Sequence, residues 1–218
     1  MHSRHNRLAS GTLTSMTSPA SPSEVIQALQ QGNERFREAR SIHPHASQAR
    51  LHELETVQTP QAAVLTCSDS RVAVELLFDS GFGDLFVIRN AGNTSTPGSL
   101  ASLEYAVEAL NVPVVVVMSH SGCGAVGAAC APDHLLTPTL MDHVGHIRNG
   151  LKAGGLALVP PVDLSAAYNI HSKITARELI NTSALLRERI ESGQLEVHAA
   201  CFELHTLAVT WLGVETGA

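Results

Sequence analysis

The chain is predicted to be an α/β protein with a mostly parallel, four- to five-stranded sheet flanked by helices. Two short runs, Ala62-Ala63-Val64-Leu65-Thr66 and Pro113-Val114-Val115-Val116-Val117-Met118, are almost continuously apolar, as strands covered on both faces are. Two further runs of strand length occupy residues 85–88 and 195–199. Helical apolar spacing separates these runs, and strands alternating with helices build parallel sheets.

The elements can be justified in chain order. Residues 1–20 are rich in Ser and Thr, contain no acidic residue and lack the continuous apolar stretch of a secretion signal. They are expected to be a disordered tail, with a cytoplasmic address favoured over a transit peptide, and residues 21–218 to be one domain. Ser21-Pro22-Ser23-Glu24 is a capping box with Pro at the first helical position. The helix it opens carries Val25, Ile26, Leu29 and Phe36. Leu100, Leu103, Val107 and Leu110 mark one face of a later helix. Leu179, Leu186 and Ile190 mark the inward side of a helix before the strand at 195. Residues 150–161, GLKAGGLALVPP, read as a loop.

Composition limits the functions open to the chain. A length of 218 residues suits one domain with a sizeable core. Apolar residues make up 44% and charged residues only 16%, which suggests surface hidden in an oligomer. A net charge of -6 without a basic cluster argues against nucleic acid. No apolar stretch approaches the roughly twenty residues of a membrane span.

The chemistry lies after the two apolar runs. Cys67-Ser68-Asp69-Ser70-Arg71 follows the first, and His120-Ser121-Gly122-Cys123 follows the second. Neighbouring parallel strands deliver their following loops to the same sheet edge. Two thiols and one imidazole meeting there would form a three-ligand zinc site with an open fourth position, a catalytic pattern. The competing reading is buried thiols or a disulfide. Four cysteines (67, 123, 130 and 201) without a C-x-x-C make no disulfide framework. His-x-x-Cys is weak alone, and its place after a β-branched strand, with Gly122 and Gly124 alongside, strengthens it.

Asp69 and Arg71, two apart in an extended loop, would point to one side and pair. An Asp left free beside zinc could fill the fourth position, whereas an Arg partner would hold it aside. Cys130 and Cys201 are expected in the core. His143 and His146 read as a solvated helix face with no carboxylate or thiol beside them. His171 and His205 remain possible proton carriers.

The segments CSDSRV, ELLFDSGFGDLFVIRNAGN, SLEYAVEALNVPVVVV and HSGCGAV closely resemble the β-class carbonic anhydrases. The resemblance runs over residues 24–127 and, more loosely, from about 169 to 197. It implies reversible hydration of CO2 to bicarbonate and a proton, with one Zn2+ per chain. It implies Cys67, His120 and Cys123 as metal ligands and Asp69 with Arg71 as the catalytic dyad. Gln58 matches the glutamine that reaches substrate from the neighbouring subunit. Phe86, Ala91 and Tyr105 match the CO2 pocket, and the Gly124 amide matches a donor to bound anions. A homodimer or tetramer follows, with N-terminal helices wrapping the partner.

Some positions depart from the family pattern. Ala73 stands where most members have Pro, and Phe202-Glu203-Leu204-His205 replaces the usual turn after the last parallel strand. Residues 128–168 match poorly. Members with an inhibitory bicarbonate site use a Trp three residues before the first Cys. Val64 stands there, with Arg89 at that site's arginine position, so no such switch is expected. Hydrolysis of CS2 or COS on the same fold is the enzymatic rival. A silent zinc- or bicarbonate-binding protein is the other.

Overall fold

A computed structural model describes residues 20–131 and 137–217; the tail expected over residues 1–20 lies outside them, apart from Ala20. One sheet contains β1 (Ala62–Cys67), β2 (Leu85–Asn90), β3 (Val114–His120), β4 (Glu196–Phe202) and β5 (Val209–Glu215), in the order β2-β1-β3-β4-β5. The first four are parallel, and β5 runs antiparallel to β4. This is the predicted sheet, with the fifth strand now placed. β1 and β3 are buried along their whole length, which is why their sequences do not alternate.

The helices are α1 (Pro22–Arg37), α2 (Gln48–Glu53), α3 (Val74–Leu77), α4 (Pro97–Glu108), α5 (Gly124–Cys130), α6 (Pro138–Ala153), α7 (Leu164–Thr182) and α8 (Ala184–Glu191). Leu103, Val107, Leu179 and Leu186 pack with Val115 and Val117 on one side of the sheet. Val25, Leu29 and Phe78 pack with Val64 and Val116 on the other. A third cluster joins α5, α6 and α7 through Val126, Ile147, Leu151 and Tyr168.

The predicted capping box forms, with Glu24 accepting from the Ser21 amide at 2.8 Å. α1 buries Val25 and Leu29 in its own chain. At Gly32 it lies so close to α3 that an added Cβ would stand 1.9 Å from the Phe78 carbonyl oxygen. Buried Asp79 ties this corner together by accepting from Arg35 Nε at 2.6 Å and from the Ile42 and His43 amides.

Three local expectations need correction. Residues 150–153 are helical and end α6, so the predicted loop begins only at Gly154. These glycines serve packing: a Cβ on Gly150 would meet Ile174 at 3.2 Å, and one on Gly154 would meet Ile170 at 2.4 Å. The helix expected through Leu179, Leu186 and Ile190 is two helices, because Ser183 ends α7 and caps α8 through the Leu186 amide at 3.2 Å. Leu110 lies past the end of α4. Among the described residues, no helix is long and apolar enough to cross a membrane.

Strand order fixes where chemistry can sit. From β1 the chain goes outward to β2, then crosses back to β3 on the other side of β1. Open α/β sheets bind ligands at the carboxyl ends of strands flanking such a switch point. Cys67 is the last residue of β1 and His120 the last of β3.

Candidate metal centre

Cys67 and His120 end adjacent central strands, and Cys123 is the N-cap of α5, where the helix dipole favours a thiolate. Their ligand atoms all lie within 4.8 Å of one another, and all three residues are buried. The two sulfurs are 3.9 Å apart. Tetrahedral zinc with Zn–S bonds of 2.3 Å needs about 3.8 Å between sulfurs. His120 Nδ1 donates to the Ser121 carbonyl at 2.9 Å. That fixes the tautomer and leaves Nε2 a buried lone-pair nitrogen with no hydrogen-bond partner. A buried acceptor without a donor, beside two thiols, suits a metal cation. Among the described residues this is the one such cluster.

The thiols are coupled. The bond with Cys123 pulls the Cys67 thiol down to about 4, while that same bond, and then burial, push Cys123 up. The pair therefore holds one thiolate readily, and a cation would favour the second. All four cysteines are free, and Cys130 and Cys201 are buried as expected.

Asp69 and Arg71 do pair, although through a turn and not the predicted extended loop. Arg71 donates Nε to Oδ1 at 2.9 Å and Nη2 to Oδ2 at 2.7 Å, and its own amide also bonds Oδ1. The Val72 amide closes the turn onto the Asp69 carbonyl at 3.0 Å. The guanidinium holds the Asp69 carboxyl well below the usual carboxylate range. Asp69 Oδ2 stands 3.9 Å from His120 Nε2, so the dyad faces the cluster. Arg89 donates to the carbonyls of Cys67 at 3.0 Å and Asp69 at 2.7 Å. Ser121 donates to Glu203 at 2.7 Å and accepts from the Leu204 amide. The divergent turn thus braces the loop between His120 and Cys123.

The predicted pocket residues divide. Exposed Ala91 precedes Gly92, whose amide donates to Cys67 Sγ at 3.2 Å, and exposed Gly124 directly follows Cys123. Phe86 instead pairs with Ala63, four residues before Cys67, or about 13 Å away along the strand. Its ring lies 6.0 Å from that of Tyr105. Tyr105 and Gln58 line a separate cavity of about 570 Å³, with Val57, Phe82 and Leu110. Within one chain these three do not meet the cluster.

The histidines also need revision. His143 bonds the Ala91 carbonyl at 2.6 Å, and His146 faces Glu178 at 3.2 Å, so a carboxylate does stand beside this pair. His171 is buried, which removes it as a carrier of protons to solvent. It bonds the Gly92 carbonyl, one peptide from a thiol, and no local motif in the sequence marks that placement.

Comparison with known proteins agrees with this geometry. A family profile described as carbonic anhydrase matches residues 62–209. A relative in Mycobacterium tuberculosis, carbonic anhydrase 2, is 37% identical over 186 residues, covering 84% of this chain and 89% of the relative. The solved β-carbonic anhydrase CcaA superposes with a TM-score of 0.65 at 26% identity, over 87% of this chain and 98% of that one. One of two tetrameric β-carbonic anhydrases from Sordaria macrospora shares the fold, with a TM-score of 0.65 at 22% identity over 87% and 98% of the two chains.

Proposed function

The chain belongs to the carbonic anhydrase family, and from that premise we propose that its reversible hydration of CO2 to bicarbonate and a proton runs at zinc held by Cys67, His120 and Cys123. The observation that carries the ligand assignment is the unpartnered His120 Nε2 beside two thiols at the sheet's switch point. When bound there, zinc supplies the Lewis acidity that makes water a nucleophile near neutral pH. Asp69 would accept, at Oδ2, a hydrogen bond from a water beside the three ligands and so orient it toward CO2. Arg71 keeps Asp69 ionised and holds both its oxygens, so that it would not itself close on the metal. The Gly124 amide steadies substrate oxygen at the mouth of the site. Stopped-flow CO2 hydration, with COS and CS2 hydrolysis measured on the same sample, tests the activity; sulfide release without CO2 hydration would overturn it. The family comparisons favour the hydratase over both rivals.

The site takes its remaining residues from a second subunit. Gln58, Phe86 and Tyr105 sit away from their own chain's cluster, on a face where Leu51, Val57, Phe82 and Tyr105 expose apolar surface. A homodimer places that face against the partner's metal centre and completes the CO2 pocket, with the exposed side of α2 adding to the contact. The Sordaria enzyme's tetramers suggest how dimers assemble further. Analytical ultracentrifugation is expected to find dimers or larger species at assay concentrations. A dilution-stable, fully active monomer would contradict this. Cys130 and Cys201, which the zinc reading leaves as unpaired thiols, suit a reducing cytoplasm.

Bicarbonate is expected to inhibit weakly and without cooperativity. Val64 is fully buried and offers no donor, and Arg89 already serves two backbone carbonyls. An anion placed there would be left partly unpaired. Sigmoidal bicarbonate inhibition, with an anion found beside Arg89, would defeat this expectation.

A further inference from the structure

We propose that His171 is a positioning residue for the metal centre, acting through Gly92 on the ligand Cys67; this rests on the zinc reading above. The Gly92 amide donates to Cys67 Sγ at 3.2 Å, and the carbonyl of the same residue accepts from His171 Nε2. A carbonyl can only accept, so Nε2 carries a proton and the neutral ring is held in one tautomer. Burial lowers the imidazole's proton affinity, which keeps the ring neutral beside the cluster.

Only glycine fits the Gly92 position. Its φ is +71°, a backbone region that side chains disfavour, and an added Cβ would meet Ala125 and Ile147 at 3.0 Å each. The His171 bond anchors Gly92 from its carbonyl side, and with it the residue whose amide meets the sulfur. An amide donor to a thiolate draws charge from it and sets how strongly it binds a cation.

A second side chain of α7 packs at the same centre. Tyr168, three residues earlier and on the same helix face, is buried in the cluster that also holds Cys67 and Cys123. α7 therefore presents two side chains to this centre. This helix reaches the centre from about fifty residues beyond the ligand loops, in a region that matched the family only loosely.

The test is competition for zinc between the loaded, full-length protein and a chromogenic chelator, with the thiolate-to-metal charge-transfer band recorded after cobalt substitution. His171→Phe removes the donor and is expected to weaken zinc retention by about 10- to 100-fold, the usual effect of losing an outer partner of a metal ligand, and to shift the cobalt band. His171→Gln, whose amide nitrogen reaches the place of Nε2, should restore most of both. His171→Asn, which is too short, should not, and the Gln/Asn contrast stands even if the Phe variant fails to fold. Equal zinc retention and unshifted bands in the Gln and Asn variants would overturn the proposal. A wild-type protein that takes up no zinc would instead overturn the ligand set, and this inference with it.

Discussion

Cys123→Ser protein is expected to fold, to purify essentially without zinc and to show no measurable CO2 hydration. The reasons for folding and for metal loss are separate. Cys123 is the N-cap of α5 and makes no side-chain cap bond, whereas serine is among the best N-cap residues. The substitution should therefore leave the helix at least as well capped as before. Serine is a poor zinc ligand at neutral pH, so one of three protein ligands is lost. Cys67 and His120 would then hold the cation with no chelate partner from α5. Metal analysis and circular dichroism on the same preparation separate these effects. Full zinc occupancy in a folded Cys123→Ser protein would refute the ligand set.

Arg71→Lys should lower kcat by about 10²-fold although it conserves charge, the scale expected when a reacting group is misplaced by about 1 Å. The wild-type guanidinium uses Nε and Nη2 to grip both Asp69 oxygens, and Nη2 also bonds the Gly122 carbonyl at 3.2 Å. An ammonium is a point charge and cannot reproduce that fork. Asp69, already 3.9 Å from His120 Nε2, would then be free to turn onto the metal position. A pH consequence follows. The Arg71 fork holds the Asp69 carboxyl far below its ordinary value, so the ionised pair persists through neutral pH and is lost only in strong acid. In Arg71→Lys that value rises toward the ordinary range, still well below neutral pH, so the loss of rate should persist at neutral and higher pH. Steady-state hydration rates across pH check both effects. Near-wild-type turnover in Arg71→Lys would remove the dyad from the mechanism.

The parts of the molecule legible in the sequence are those where one local pattern has one physical meaning. β1 and β3 are continuous buried runs, and the ligand loops follow them directly, so the cluster could be assembled from strand adjacency alone. The α1 capping box was equally plain. β5 was not, because Gly213 and a register shift at Ala199/Ala200 break its alternation and one of its faces is exposed. Gly150 and Gly154 read as loop residues because close helix approach and chain turning select the same residue type. The Asp69–Arg71 pair was foreseen with the wrong backbone, since a carboxylate that accepts its neighbour's amide makes a turn. His171 was read only as a proton carrier, and Tyr168 was not singled out. Their placement depends on how α7 packs against the ligand loops, which helical periodicity does not report.

The central claim is that one metal ion at Cys67, His120 and Cys123 is the seat of CO2 hydration. Its most direct test is titration of chelator-treated, metal-free protein with zinc while stopped-flow hydration rate and bound metal are followed together. The account predicts a rate near the uncatalysed background at zero zinc, rising in proportion to bound zinc and breaking sharply at one ion per chain. Full hydration activity in the metal-free protein, or zinc-saturated protein that does not hydrate CO2, would contradict it.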